Sequence, residues 1–455
     1  MRAQKNPLEL VAASLRLTPD ACDSVAGFRQ FNGHTWKRTL QWLDDAGLAF
    51  YFLRRIQNSR SADVIPSWVV AYLERNFAAN QLRVREMSRR FNDLNQRFNH
   101  TGVRYAVFKG FSLVPDFCPD ASLRYQGDID YLVDEPSLSA AKQALLDAGY
   151  RAKPSPSSEE FIFMLPGAGA SPVHTSEQYS SDAAYAVELH LDIWDGHYHG
   201  IHLPRGLIST DRACSRNWNG HFFHGLSVDE AFLGQVMHAC HHLFAEWIRM
   251  SCFLEIAYFL NRCALDDVLW ARVAQHVGDN LQLREFVVIV SEIAARLFAA
   301  PLPSVIQEWG REIRTAPGIW LESYSTEWAF CEFPPYQFKA LPATNLVRFL
   351  RRQYKTPKVV STTSTGVAVQ TAPRSRLMRI ASSLIKTPSR ALDRAWWKRQ
   401  MLLRRTAFHA LARVRYVSEI PRWLWMNHRQ RGSAGATRSL RPGPDPAAPP
   451  CKSMP

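Results

Sequence analysis

The stretch RYQGDIDYLV, residues 124–133, sets two carboxylates, Asp128 and Asp130, two positions apart in an apolar run. Ile129 lies between them and Tyr131-Leu132-Val133 follows. In a β-strand residues i and i+2 share a side, so the stretch predicts a strand bearing both acids on one face. Neighbouring unpaired carboxylates repel, and burying them is costly unless a cation sits between them. Oxygen ligands on a rigid strand suit Mg²⁺ or Mn²⁺, with positions left for water and phosphate oxygens. The plain alternative is a turn at Asp128 after Gly127, with Asp130 on a solvent-facing edge.

Upstream, RYAVFKG (104–110) reads as a short strand closed by glycine, where backbone N–H groups and Lys109 can meet phosphate oxygens. A simple turn with a solvated Lys109 is the competing reading. Arg124, four residues before Asp128, carries charge suited to a triphosphate or a leaving pyrophosphate. Downstream, Pro136 and Ser137 open a helix that runs to Ala148, with Gly149 as its stop. FIFML (161–165) and AYAVELHLDIW (184–194) read as further strands. Glu188, flanked by apolar residues, is the candidate third acid of a two-metal clamp for in-line attack on phosphorus, with Asp192 in reserve. His190 follows Glu188 by two residues and so shares its face.

Helical periodicity covers 35–57, then one or two helices from Pro66 to Asn99, then 229–262 and further pieces to about 335. His238, His241 and His242 share one helical face, a spacing that suits zinc, the lining of a cleft or plain packing. His197, His199 and His202 read as a solvated loop. The eight cysteines are scattered without a CxxC pair, which fits a reducing cytoplasm and argues against a disulfide framework. The N-terminus does not read as a signal peptide, and no long uninterrupted apolar run predicts a membrane-spanning helix. No GxSxG, P-loop or GxGxxG fingerprint supports a hydrolase, Walker-type or Rossmann reading.

The formal charge of +14 is uneven. From Arg348 onward stand 23 Lys/Arg against three acids, so the rest of the chain is mildly acidic. A Ser/Thr/Pro-containing linker after Leu350 leads to two basic helical candidates, 375–386 and 390–416. The last residues read as disordered. Leu377, Ile380, Ala381 and Leu384 share one face, and Trp396 and Trp397 stand beside arginines. Such helices suit an anionic membrane surface, a nucleic-acid backbone, or docking on the acidic body.

The combination VFKGFSL … LRYQGDIDYLVD … AKQALLDAGY … VELHLDIW resembles an uncharacterised bacterial nucleotidyltransferase family with a KG…R…DIDLLV…ELHW signature. That family lies within the polymerase-β-like nucleotidyltransferase superfamily. WLDDAGLAFYFLRR, RNFAANQLRVREMSRRF and HACHHLFAEWIRMSCFLEIAYFL resemble its flanking helices, so the likeness covers roughly 35–300 and omits the basic tail. The resemblance implies metal ligation by Asp128, Asp130 and Glu188. It implies nucleotide binding by Lys109, Gly110 and Arg124; Ser112, Gly127 and His190 are the further nucleotide-binding candidates. The superfamily's usual Gly-Ser pair appears here as Lys109-Gly110, with Ser112 two residues on. Leu191 stands where the family has Trp, and Glu255 where it has Asp.

The expected fold is α+β: a small mixed sheet between N- and C-terminal helical segments, with a basic C-terminal tail. The expected divisions are 1–100, 101–215, 216–347 and 348–455. The expected activity is transfer of an NMP group, most simply AMP from ATP, to an acceptor hydroxyl with Mg²⁺ or Mn²⁺. The alternative is a catalytically degenerate nucleotide- or partner-binding module. The expected location is the cytoplasm, with peripheral membrane or nucleic-acid contact through the tail.

Overall fold

The computed structural model describes residues 6–355 and 413–429, apart from 60–61, 156, 158, 167–178, 181–183, 197–199, 245–248 and 331–346, together with isolated residues between 403 and 411. Helix α1 (Pro7–Ser14) is capped by the Asn6 side chain, which accepts from Leu8 N at 3.1 Å. The run 35–57 forms two helices, α2 (Gly33–Ala46) and α3 (Ala49–Gln57). The break falls at Gly47, whose φ of +72° is left-handed and whose Cβ, were there one, would lie 2.8 Å from Ser251 Oγ. Only glycine meets both demands cheaply. Helix α4 (Ser67–His100) then runs unbroken for 34 residues.

The sheet collects β1 (Tyr105–Val107), β2 (Asp128–Val133), β3 (Arg151–Lys153), β4 (Glu160–Met164), β5 (Ala186–His190), β6 (Cys214–Trp218) and β7 (His221–Gly225) in the order β3-β4-β5-β2-β1-β7-β6. Helix α5 (Leu138–Asp147) connects β2 to β3. The sheet is mixed: β2 runs parallel to β5 and antiparallel to β1, and β4 runs antiparallel to β5.

Alternation along the central strands divides two cores. Tyr105, Val107, Ile129, Tyr131, Val133, Val187 and Leu189 pack with Met87, Phe91, Leu94 and Phe98 of α4 and Ala141 and Leu145 of α5. Burial of each large apolar side chain contributes on the order of 2 kcal/mol. Ala106, Phe108 and Leu132 belong instead to the larger core, shared with the N-terminal helices and with α6 (Val228–Phe244), α7 (Met250–Cys263), α8 (Asp267–Val277) and α9 (Leu281–Phe298). Asp128, Asp130, Glu188 and His190 therefore face the helical layer. The opposite face is closed by apolar packing.

The fold is α+β, but the sheet is wider than the predicted small core. The line drawn at 215 cuts β6, because β6 and β7 form a hairpin turned at Asn219-Gly220, both at positive φ. Such a turn matches the twist of the paired strands. The predicted strand 184–194 stops at His190, where the Asp192 carboxylate accepts from Trp194 N at 3.1 Å and bends the chain. The helical stretch 229–262 holds two helices, α6 and α7.

Short helices α10 (Ser304–Glu312), α11 (Thr315–Ser323) and α12 (Ser325–Ala329) precede α13 (Val347–Tyr354). The line drawn at 348 falls inside α13, whose Val347, Phe349, Leu350 and Tyr354 are buried in the larger core. A last helix, α14, spans residues 413–429. The tail candidates 375–386 and most of 390–416, with Leu377, Trp396 and Trp397, lie outside the described residues. No helix among the described residues is long and apolar enough to cross a membrane.

Candidate active site

Register builds the site. In the β2–β5 ladder Asp130 pairs with Glu188, Asp128 with Ala186 and Leu132 with His190. Directly paired residues project to the same side, so Asp130, Glu188 and His190 crowd together. Their carboxylate and ring atoms lie within 4.8 Å of one another. Strand β4 adds Glu160 opposite His190, an acid the sequence reading did not single out. Its pKa is raised, first by burial and then by the charge of Glu188.

The crowded charge is held by two cations. Lys109, just after β1, places Nζ 2.8 Å from Asp130 Oδ1. His190 Nε2 lies 3.2 Å from the same oxygen and 3.5 Å from Glu188 Oε2. Burial alone would lower the His190 pKa, but the hydrogen bonds to Asp130 and Glu188 raise it to about 9. Burial likewise works to raise Asp130, yet the Lys109 charge and the His190 bond hold it well below the carboxylate range. Asp128 lies outside the 4.8 Å group. Burial, then the charges of Asp130 and Glu188, push it up to about 7.

Helix α4 fixes the approach to β2. Asn80 Nδ2 donates to Ser122 O at 2.8 Å and to Arg124 O at 2.9 Å, and Arg83 Nη2 donates to Gln126 O at 3.1 Å. These bonds satisfy carbonyls of an irregular buried segment that no ladder reaches. Gly110, at φ +62°, stands opposite Gln126, and a Cβ there would come within 2.9 Å of Gln126 Oε1. The turn after Lys109 thus needs glycine for its left-handed conformation, and a side chain there would also push the Gln126 amide aside.

A cleft of about 460 Å³ opens over this floor, lined by Lys109, Gly110, Arg124, Gly127, Asp128, Glu188, His190 and Asp192 among others. Two predicted residues are committed elsewhere. The buried Ser112 donates its hydroxyl to Lys109 O at 3.1 Å within its own turn. Arg124 reaches the cleft wall, but its Nε donates to Glu255 Oε1 at 2.6 Å, and Glu255 is fully buried. That pairing answers the charge of a carboxylate that enters the core on α7.

The helical wall supplies His238, His241, His242 and Arg249. Arg249, at the start of α7, donates from Nη2 to Tyr125 O at 2.9 Å, with its guanidinium 5.8 Å from the Tyr125 ring centroid. No spacing rule in the sequence links Arg249 to the acids, since only tertiary packing brings α7 over the sheet. His238 and His242 place their Nε2 atoms 3.2 Å apart, and Cys252 joins them within 4.8 Å. Burial, then the Lys109 charge, keeps His238 well below the usual histidine range and takes His241 down to about 4. Histidines kept neutral by burial can line the cleft, pack, or ligate a metal ion, so all three readings of this face stand. His197 and His199 lie outside the described residues.

The donor set fits a hard divalent cation at the sheet floor. Asp130 Oδ2 is buried and has no hydrogen-bond partner among the described residues. Glu188 stands beside it with a second carboxylate, and hard cations select such oxygen donors. A search of curated proteins and a search of solved structures each returned no match. A family profile described as "Uncharacterised nucleotidyltransferase" matches residues 32–299, which span α2 to α9 and hold the whole sheet. With the match covering more than half of its length, the chain belongs to this uncharacterised nucleotidyltransferase family.

Proposed function

We propose that the protein transfers a nucleotidyl group, most simply AMP from ATP, to an acceptor hydroxyl in a polymerase-β-like, metal-dependent reaction. The observation that carries the reading is the side-by-side placement of Asp130 and Glu188, with the orphaned Asp130 Oδ2, under a cleft walled by Lys109 and Arg249. Asp128, Asp130 and Glu188 would hold Mg²⁺ or Mn²⁺. When bound, the ion would neutralise phosphate charge and polarise the acceptor oxygen.

The chain's own residues do the rest. Lys109 and Arg249 offer positive charge to the triphosphate, and the Gly110 turn lets its backbone approach closely. The acceptor oxygen attacks the α-phosphorus as the bond to the β-phosphate oxygen breaks, and pyrophosphate leaves with that electron pair. The hydroxyl proton passes to a carboxylate oxygen of Glu188. Arg124, paired with Glu255, holds the cleft wall in place rather than spending its full charge on phosphate.

One observation favours a second reading. Lys109 already neutralises Asp130, an arrangement that also suits a catalytically degenerate nucleotide- or partner-binding module. Incubation of purified protein with labelled ATP, GTP, CTP or UTP and cell extract separates the two. Metal-dependent label transfer with pyrophosphate release supports the enzyme. Metal-dependent nucleotide binding without pyrophosphate release in any of the four supports the binding module.

A further inference from the structure

Helix α14 has two apolar faces, and one is already in use. Tyr416 and Trp423 are buried and stack on Phe349 of α13, with ring centroids 4.8 Å and 4.9 Å away. Trp423 also meets Tyr324, at 6.1 Å. On the other side Val414, Val417, Leu424 and Trp425 are 67%, 63%, 60% and 59% exposed. Val417 follows Val414 by three residues, and Leu424 and Trp425 follow Val417 by seven and eight, the spacing of a single helical stripe. Leu403 and Leu411, just upstream, are exposed as well. A solvated helix bears polar residues on its outer face, so an apolar stripe of this length calls for a partner.

The charges around the stripe indicate which partner. Arg413 and Arg429 are exposed beside it, and the Arg429 guanidinium lies 5.2 Å from the Trp425 ring centroid. The single acid of α14, Glu419, sits on the inward side, with Oε2 3.4 Å from the Tyr324 hydroxyl and 3.6 Å from Arg422 Nη1, so it answers the charge of Arg422. The outward side therefore combines aliphatic residues and a tryptophan with positive charge, without an acid. Nucleic acid takes the arginines but offers nothing to Val417 and Leu424. An anionic bilayer takes both, since aliphatic side chains enter the acyl boundary while arginines reach the headgroups.

We propose that the outward face of α14 docks the protein on the surface of an anionic lipid bilayer. The α13–α14 stacking then holds the nucleotidyltransferase body at that surface. Attachment is peripheral and needs no membrane-crossing helix. Electrostatic attraction brings the basic segment in and apolar insertion retains it, so high salt weakens binding without abolishing it.

The test is vesicle flotation of the full chain with neutral phosphatidylcholine vesicles and with phosphatidylcholine–phosphatidylglycerol vesicles. The wild type should float with the anionic vesicles and only weakly with the neutral ones. Val417→Glu with Leu424→Glu should cut flotation about tenfold or more, because a buried charge replaces each inserted side chain. Both positions are exposed, so the melting temperature should hold, and a conservative Val417→Ala with Leu424→Ala pair guards against a folding defect. Failure to float with anionic vesicles overturns the proposal, as does equal flotation of the glutamate variant. Self-association in ultracentrifugation, or RNA binding in a shift assay, overturns it if the glutamate pair abolishes that contact while flotation is unaffected.

Discussion

The Lys109 ammonium lies 2.8 Å from Asp130 Oδ1, so the cation nearest the buried acid comes from the turn after β1 and not from a neighbouring strand. Asp130 is 1% exposed, and removing its partner leaves a buried charge supported by His190 alone. Lys109→Met should therefore destabilise the metal-free protein by on the order of 3 kcal/mol. Urea unfolding with and without Mg²⁺ measures this. Part of the loss should return with Mg²⁺, because an ion on Asp130 substitutes for the missing ammonium.

Two groups set the pH dependence of stability in the same direction. His190 is raised from 6.5 to about 9 on folding, so its contribution is complete below 6.5 and lost as pH rises through 9. Asp128 is raised from 3.8 to about 7, so the fold favours its neutral form and loses stability as pH rises toward 7. Melting temperature without metal should fall between pH 6 and pH 9. Asp128→Asn should remove the lower part of that fall, and His190→Gln should flatten the upper part. A wild-type profile that rises over this range would contradict both assignments.

Glu255 and Arg124 form a pair in which both side chains are buried, at 0% and 8% exposure. Glu255→Gln leaves the guanidinium without its counter-charge and should cost about 3–5 kcal/mol. Replacing both, as Arg124→Met with Glu255→Leu, should recover much of that stability, because an apolar pair removes both desolvation costs. Nucleotide affinity should stay impaired in the double variant, since Arg124 shapes the cleft wall beside Gly110. Chemical denaturation and nucleotide titration on the same samples separate the two effects.

Arg249 reaches the cleft from outside the sheet. Arg249→Gln should raise KM for the nucleotide about ten- to hundredfold, because one charge-assisted phosphate contact is worth roughly 1.5–3 kcal/mol, and should lower stability by about 1 kcal/mol through the lost bond to Tyr125 O. A fall in kcat with unchanged KM would instead place Arg249 at the transition state alone.

The strand alternation that puts Asp128 and Asp130 on one face is local, and so it is legible in DIDYLV without a fold. The apolar neighbours of Glu188 carry the same signal, and the register then sets that residue beside Asp130. What depends on chain crossing is not legible. Arg124 finds Glu255 across 131 positions, and α7 carries Arg249 over the sheet. The hairpin at Asn219-Gly220 is a different case. Its turn signal stands in NWNGHFF, but the charged and polar residues flanking it hide the strand period, so the sheet extends past the expected limit. Helix α14 is a further case: the expected helix ends at 416, but residues 413–429 are helical, and the face that meets the body is set by the aromatic stack on Phe349.

The most direct measurement is calorimetric binding of ATP across a Mg²⁺ titration, on the wild type and on Asp130→Asn with Glu188→Gln. Cooperation of these carboxylates with a divalent ion predicts that Mg²⁺ tightens ATP binding at least about tenfold in the wild type and has no such effect in the variant. Equal Mg²⁺-dependent tightening in both proteins, with the variant folded, would contradict the account.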